Sequence, residues 1–77
     1  MEILYQLQDV FREVFDQPDL QVSGDTTSEN IDGWDSLAQV RLVFVVQEHF
    51  GVEFGTDDLI QLKSVGDFVE LIRKHQQ

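Results

Sequence analysis

Apolar residues recur at three- and four-residue steps in three separate stretches of this chain, and that spacing restricts the fold more than any other feature. A stripe of that period runs along one side of an α-helix, whereas one face of a strand needs a period of two. From Ile3 to Phe15 the positions Ile3, Leu4, Leu7, Val10, Phe11, Val14 and Phe15 keep the step, with Gln8, Asp9, Arg12 and Glu13 on the other side. This predicts an amphipathic helix that stops near Asp16, because Pro18 disfavours helical geometry in the residue before it. A second helix is predicted from Ser36 to Phe50. Its run Leu42 to Val46 is β-branched enough to suggest a strand, but Leu37, Ala38 and Phe50 extend a four-step spacing through it. The pair Asp35-Ser36 suits an amino-terminal cap, and Gly51 suits the residue just past the end.

Thr56, Asp57 and Asp58 open a short helical turn through Leu62. Ser64 and Asp67 have the spacing of a capping box, with Asp in place of Glu, ahead of the stripe Val65, Phe68, Val69 and Ile72. Lys63 precedes this last helix, and Arg73, Lys74 and His75 sit at its end, where cations suit the dipole. Between the first two helices, residues 17 to 35 mix Pro, Gly, Ser, Thr, Asn and Asp with isolated apolar residues at Leu20, Val22 and Ile31. A loop of this length in so small a domain is unusual unless it has a function. The three apolar residues show neither alternation nor a run, so they read as pegs that pin an ordered connection onto the helices. The expectation is one domain, residues 1–77, with an all-α fold. It is a small up-and-down four-helix bundle of three longer helices and one short one, with a long loop between the first and second.

A chain of 77 residues has room for one modest core and not for a deep, walled active site. No Cys is present, which excludes disulfides, thiolate metal sites and Cys nucleophiles and fits a reducing, cytoplasmic setting. Fifteen acids against five bases give a net charge of −10 that repels nucleic acid and anionic membranes and favours partners with basic patches. Residues 1 to 35 contain a single base, Arg12, so the amino-terminal half is the strongly anionic one. No apolar run reaches the roughly 20 residues of a membrane span, and Met1-Glu2-Ile3-Leu4 lacks the basic start of an export signal. A monomer is expected.

The informative segment is Asp32-Gly33-Trp34-Asp35-Ser36-Leu37. It places a Ser hydroxyl where the loop meets the second helix, beside the positive end of the helix dipole. An anion attached there gains about 0.3–1 kcal/mol. Read from its local sequence alone, the same serine is a plain helix cap. The wider pattern resembles the acyl carrier proteins. Asp35-Ser36-Leu37 is similar to their Asp-Ser-Leu signature. The helix from Ser36 to Phe50, the segment Gly51-Val52-Glu53-Phe54, the turn Thr56-Asp57-Asp58-Leu59 and the start Ser64-Val65-Gly66-Asp67-Phe68 fall where that family has its corresponding pieces. The resemblance implies that a phosphopantetheinyl transferase moves a 4′-phosphopantetheine arm from coenzyme A onto Ser36. The chain would then be a non-catalytic carrier whose arm supplies the thiol that holds an acyl group as a thioester. It also implies that Asp35 assists the modifying enzyme near its metal ion and that Leu37 makes an apolar contact with partner enzymes. Read from the residues alone, Asp35 could equally be a capping carboxylate and Leu37 a core residue.

The second helix carries two apolar stripes where a surface helix of a small bundle needs one. Leu42, Val46 and Phe50, supported by Ala38 and Val45, form the first; Leu37, Val40 and Phe44 form the second. Both cannot be fully buried in two layers, so the second is expected beside Ser36 as a docking face, together with Arg41 and Glu48. The competing reading makes Phe44 core. Carriers of primary fatty acid synthesis usually bear several acids on this helix, whereas here Ala38, Arg41 and Gln47 stand where acids are common and only Glu48 keeps the charge. The resemblance therefore favours a specialised pathway, such as polyketide or modified amino-acyl assembly, over primary fatty acid synthesis. Partners would be acyl-loading and acyl-processing enzymes with basic or mixed docking patches. Peptidyl carriers usually have Gly where Asp35 stands.

Three other functions have some support in the residues. A calcium loop around Asn30, Asp32 and Gly33 lacks its leading carboxylate and its bidentate acid, since those positions fall on Ser28 and Gln39. An enzyme pairing Ser36 with His49 or His75 has no spacing that brings them together. An unmodified helical adaptor, with Leu37, Val40 and Phe44 as its binding face and Ser36 as a plain cap, is the rival from another class.

Overall fold

In the computed structural model, which describes residues 3–76, the chain forms four helices in the order α1 (Ile3–Val14), α2 (Ser36–Phe50), α3 (Thr56–Ile60) and α4 (Val65–His75). Met1 and Glu2, the first residues of the stretch that lacks the basic start of an export signal, lie outside the described residues. No strand occurs among the described residues; Thr27 and Ser64 make an isolated antiparallel bridge. The all-α expectation therefore holds. Helix α1 ends where Asp16 takes a positive φ of 53°, and α2 ends at Gly51 in the left-handed region with φ 67°.

The core is built on three helices. Leu7, Val10, Phe11 and Val14 of α1 meet Ala38, Leu42, Val43 and Val46 of α2 and Val65, Phe68 and Ile72 of α4. Phe11 is its centre: the Trp34 ring stands edge-on to it at 5.3 Å and the Phe68 ring edge-on at 6.0 Å, favourable arrangements for aromatic quadrupoles. Helix α3 contributes no buried side chain and stops two residues before the expected boundary; Leu62, beyond its end, is buried. The short helix is thus held by its ends. The Asp58 carboxylate accepts the Gly55 N–H at 2.9 Å and faces His75 Nε2 at 3.1 Å, tying α3 to the end of α4.

The connection from residue 17 to residue 35 is ordered by specific contacts. Ile31 and Trp34 are buried, and Leu20 and Val22 are half-buried against the core, as their isolated placement predicts. Arg12 Nε donates to the Leu20 carbonyl at 2.6 Å, and the Val22 N–H donates to Gln8 Oε1 at 3.0 Å, so polar residues of α1 satisfy the loop backbone. The loop also fastens to the first turn of α4, where the Val65 N–H donates to Thr26 O at 2.8 Å and the Gly66 N–H to Gly24 O at 2.9 Å. These are amides a helix leaves unpaired. The Ser64–Asp67 capping box forms as expected, and Asp67 Oδ2 also accepts the Lys63 N–H at 2.9 Å.

Candidate functional site

The site is assembled where this loop turns into α2. Gly33, at φ 91°, makes a turn that a side chain would strain, and Trp34 anchors the next residue by burying its ring between Phe11 and Phe15. Asp35 then caps α2: its backbone is extended and its Oδ1 accepts the Ala38 N–H at 2.9 Å. Ser36 is the first helical residue. The reading of Ser36 as the cap is therefore corrected, because the residue before it supplies the capping carboxylate. The Ser36 side chain is exposed and makes no hydrogen bond among the described residues.

The first-turn amides explain what such a hydroxyl could carry. Ala38 N–H is taken by Asp35 Oδ1 and Gln39 N–H by Asp35 O, whereas Ser36 and Leu37 N–H have no acceptor among the described residues. Two free amides at the positive end of a helix favour an anion on the neighbouring oxygen. Residues at this turn thus fit a phosphodiester on Ser36, and Asp35 engages only Oδ1 in the cap.

Beyond the serine, α2 separates its two stripes as the helical period requires. Leu37, Val40 and Phe44 are 78%, 67% and 61% exposed, while Ala38, Leu42 and Val46 are buried. The reading of Phe44 as core is overturned by that exposure. Arg41 and Glu48 are also exposed, Arg41 between Val40 and Phe44 in the chain and Glu48 beyond Phe44. Two of the positions where an acid was missing serve the fold: Ala38 is core, and Gln47 Oε1 accepts the Phe54 N–H at 2.7 Å. Arg41 is the departure that changes the surface. Sequence reasoning missed Val43, which is buried and thickens the core stripe, and Gln39, which bridges Trp34 to Leu62; their helical register gave no separate signal for either. His49 and His75 stay apart from this site on the helix ends, with His75 against Asp58 and Phe54.

The Asp58 carboxyl is held below its ordinary value, first by the Gly55 N–H and then by His75. Among the described residues, no helix is long and apolar enough to cross a membrane.

Known proteins share this arrangement over nearly the whole chain. The sequence pattern of a family described as "Phosphopantetheine attachment site" matches residues 6–72. An acyl carrier protein of Lactobacillus johnsonii is 33% identical over 75 residues, which is 97% of this chain and 94% of the relative. An acyl carrier protein of Acidothermus cellulolyticus is 35% identical over 71 residues, covering 92% of this chain and 84% of the relative. Among solved structures, the solution NMR structure of holo acyl carrier protein from Geobacter metallireducens superposes with a TM-score of 0.91 at 34% identity. That superposition covers 99% of this chain and 87% of the other.

Proposed function

The chain belongs to the acyl carrier protein family, and from that premise we propose that Ser36 takes its 4′-phosphopantetheine and that the carrier serves a specialised biosynthetic pathway. The prosthetic group supplies a thiol, absent from the chain itself, on which acyl groups are held as thioesters. The observation that carries the assignment is the exposed Ser36 hydroxyl at the first turn of α2, next to two unpaired amides and an exposed apolar row. In the loading step, Ser36 Oγ forms a bond to phosphorus of the coenzyme A pyrophosphate as the phosphoanhydride breaks. The adenosine bisphosphate half leaves, and the hydroxyl proton passes to a base of the transferase. Asp35 holds the helix start with Oδ1 and offers Oδ2 toward a cation of that enzyme.

Partner choice rests on the face formed by Leu37, Val40, Arg41, Phe44 and Glu48. Apolar side chains dominate it, with one cation and one anion, so it complements an apolar, mixed-charge patch better than a strongly basic one. Arg41 is what favours a specialised pathway over primary fatty acid synthesis.

The test is to incubate the protein with coenzyme A and a promiscuous phosphopantetheinyl transferase and to read the intact mass. Wild type gains the arm and Ser36→Ala does not. An unchanged wild-type mass with a transferase that loads a control carrier would leave the adaptor reading in its place. For pathway, Arg41→Glu should raise acyl transfer from a fatty acid synthase enzyme with a basic docking patch; a rate unchanged from wild type would remove Arg41 as the discriminating residue.

A further inference from the structure

Helix α3 lies alongside α2, and two glutamines of α2 hold it there. Gln47 Oε1 accepts the Phe54 N–H, just before α3, at 2.7 Å, and Gln39 Nε2 donates to the Leu62 carbonyl, just after α3, at 3.3 Å. Gln39 and Gln47 share one stripe of α2 about two turns apart, so α3 runs antiparallel to α2 along that stripe. Each residue turns a helix by about 100°, so Val40, Phe44 and Leu37 follow that stripe in order around α2. Arg41 is the last exposed side chain before the half-buried Val45. On α3, Asp58 faces His75 at the end of α4, while Ile60, two residues on, points away from α4 and is 70% exposed. Asp57, also exposed, stands three residues before Ile60 and so beside it. The two helices thus share a surface with an apolar middle of Ile60, Val40, Phe44 and Leu37, an acid at the α3 edge and a cation at the other.

We infer that this surface takes a partner protein whose apolar cleft bears a carboxylate on the rim that meets Arg41 and a base on the opposite rim, which meets Asp57. The inference deepens the reading of the α2 row as the docking face and rests on it. Arg41 has no carboxylate within ion-pair distance among the described residues, and Glu48 is about two turns farther along α2. Leu37 and Phe44 lie four residues before and three residues after Arg41, so they flank it on the helix surface. A cleft that closes over them also strips water from the guanidinium, a costly step unless the cleft brings its own acid. A carboxylate there can take two guanidinium N–H donors at once. The same reasoning with the sign reversed applies to Asp57. A uniformly basic patch suits one rim and is repelled at the other. A second copy of this chain is a poor occupant, because each copy brings a net charge of −10. The apolar middle supplies contact area, and the two unlike rims set the orientation and exclude wrong partners.

The probes are three synthetic amphipathic helical peptides that share one leucine stripe, edged by Glu on one side and Lys on the other, by Lys on both sides, or by Glu on both. Each is titrated into the ¹⁵N-labelled full chain carrying its arm, with intact mass confirming the load. Salt of about 0.15 M screens the long-range pull of the net charge on lysine beyond about 8 Å. The expected result is that the mixed-edge peptide shifts Leu37, Val40, Phe44 and Ile60 and binds about threefold or more tighter than either uniform peptide. Arg41→Glu should move the preference to the Lys-edged peptide. Ile60→Glu, at an exposed position, should weaken the mixed-edge peptide about threefold or more and leave the melting temperature unchanged. With normal loading of Ser36, any of the following overturns the partner assignment alone: tightest binding by a uniform peptide in wild type, no binding by any peptide, a preference unchanged in Arg41→Glu, wild-type binding in Ile60→Glu, or a dimer that covers Phe44. A wild-type chain that gains no arm from a transferase that loads a control carrier overturns the carrier reading and this assignment together.

Discussion

Substituting Gly66 by Ala should loosen the fold although it adds only a methyl group to a helix. Gly66 sits in the first turn of α4, where a Cβ would lie 2.7 Å from Gly24 O and 3.4 Å from Gly24 C. Carbon does not approach oxygen that closely, and the obstacle is backbone, so no side-chain rotation relieves it. The loop must retreat by several tenths of an ångström, stretching the Gly66 N–H to Gly24 O and Val65 N–H to Thr26 O hydrogen bonds together. Overpacking of this kind costs about 1–3 kcal/mol, whereas Ala in place of Gly in a helix returns at most about 1 kcal/mol. The net expectation is a loss of about 1–2 kcal/mol, with each kcal/mol lowering the melting temperature of so small a domain by about 4–8 °C.

Gly24→Ala is the matched control. Its Cβ would lie 4.0 Å from Gly66 Cα, an ordinary contact, so its stability should stay within about 0.5 kcal/mol of wild type. Thermal and urea melts followed by far-UV circular dichroism measure both. Equal shifts in the two variants, or a Gly66→Ala protein as stable as its parent, would show that the close approach does not hold the loop. Because the same loop ends in Ile31 and Trp34 beneath the Asp35 cap, Gly66→Ala should also slow loading of Ser36.

Asp35→Ala should cost about 1 kcal/mol through the lost cap on α2, and Asp35→Ser should restore that stability. If Asp35 also assists the transferase, the serine variant will melt like wild type yet load slowly; equal loading would confine Asp35 to capping. Phe44→Ala should leave stability within about 0.5 kcal/mol, since the ring is 61% exposed, while acyl transfer from a cognate partner falls about fivefold or more. Unchanged transfer would remove Phe44 from the docking face. For Asp58, the folded carboxyl titrates below its ordinary value of 3.8, so its contribution is fully present above that pH and is lost as the pH falls through the lower folded value. Asp58→Asn should therefore flatten the acid limb of stability below about pH 4 in urea melts, and an unaltered limb would refute the assignment.

The helices were legible because their positions follow from local rules. The α2 boundaries coincide with those expected, since Asp35 and Gly51 each satisfy a helix end by a mechanism readable from residue type alone. The long loop was legible only as three pegs. Its fastening to α4 depends on Gly24 and Gly66 meeting across the molecule, and a glycine chosen for close backbone approach looks in sequence like any other glycine. Gln39 was hidden for the same reason: its hydrogen bonds run to a ring and a carbonyl that only the fold brings near.

The two stripes of α2 show how function became visible nonetheless. A helix with one apolar face can be explained by burial alone, and nothing further follows from it. Here the first stripe fills the core against α1 and α4, which leaves Leu37, Val40 and Phe44 in water with no folding role to explain their chemistry. Each exposes apolar surface at a free-energy cost that burial against a partner would remove. Their register places them on successive turns leading away from Ser36, so a protein gripping this row comes up against the serine. The physical excess of hydrophobicity on one helix and the chemical availability of one hydroxyl therefore mark the same surface.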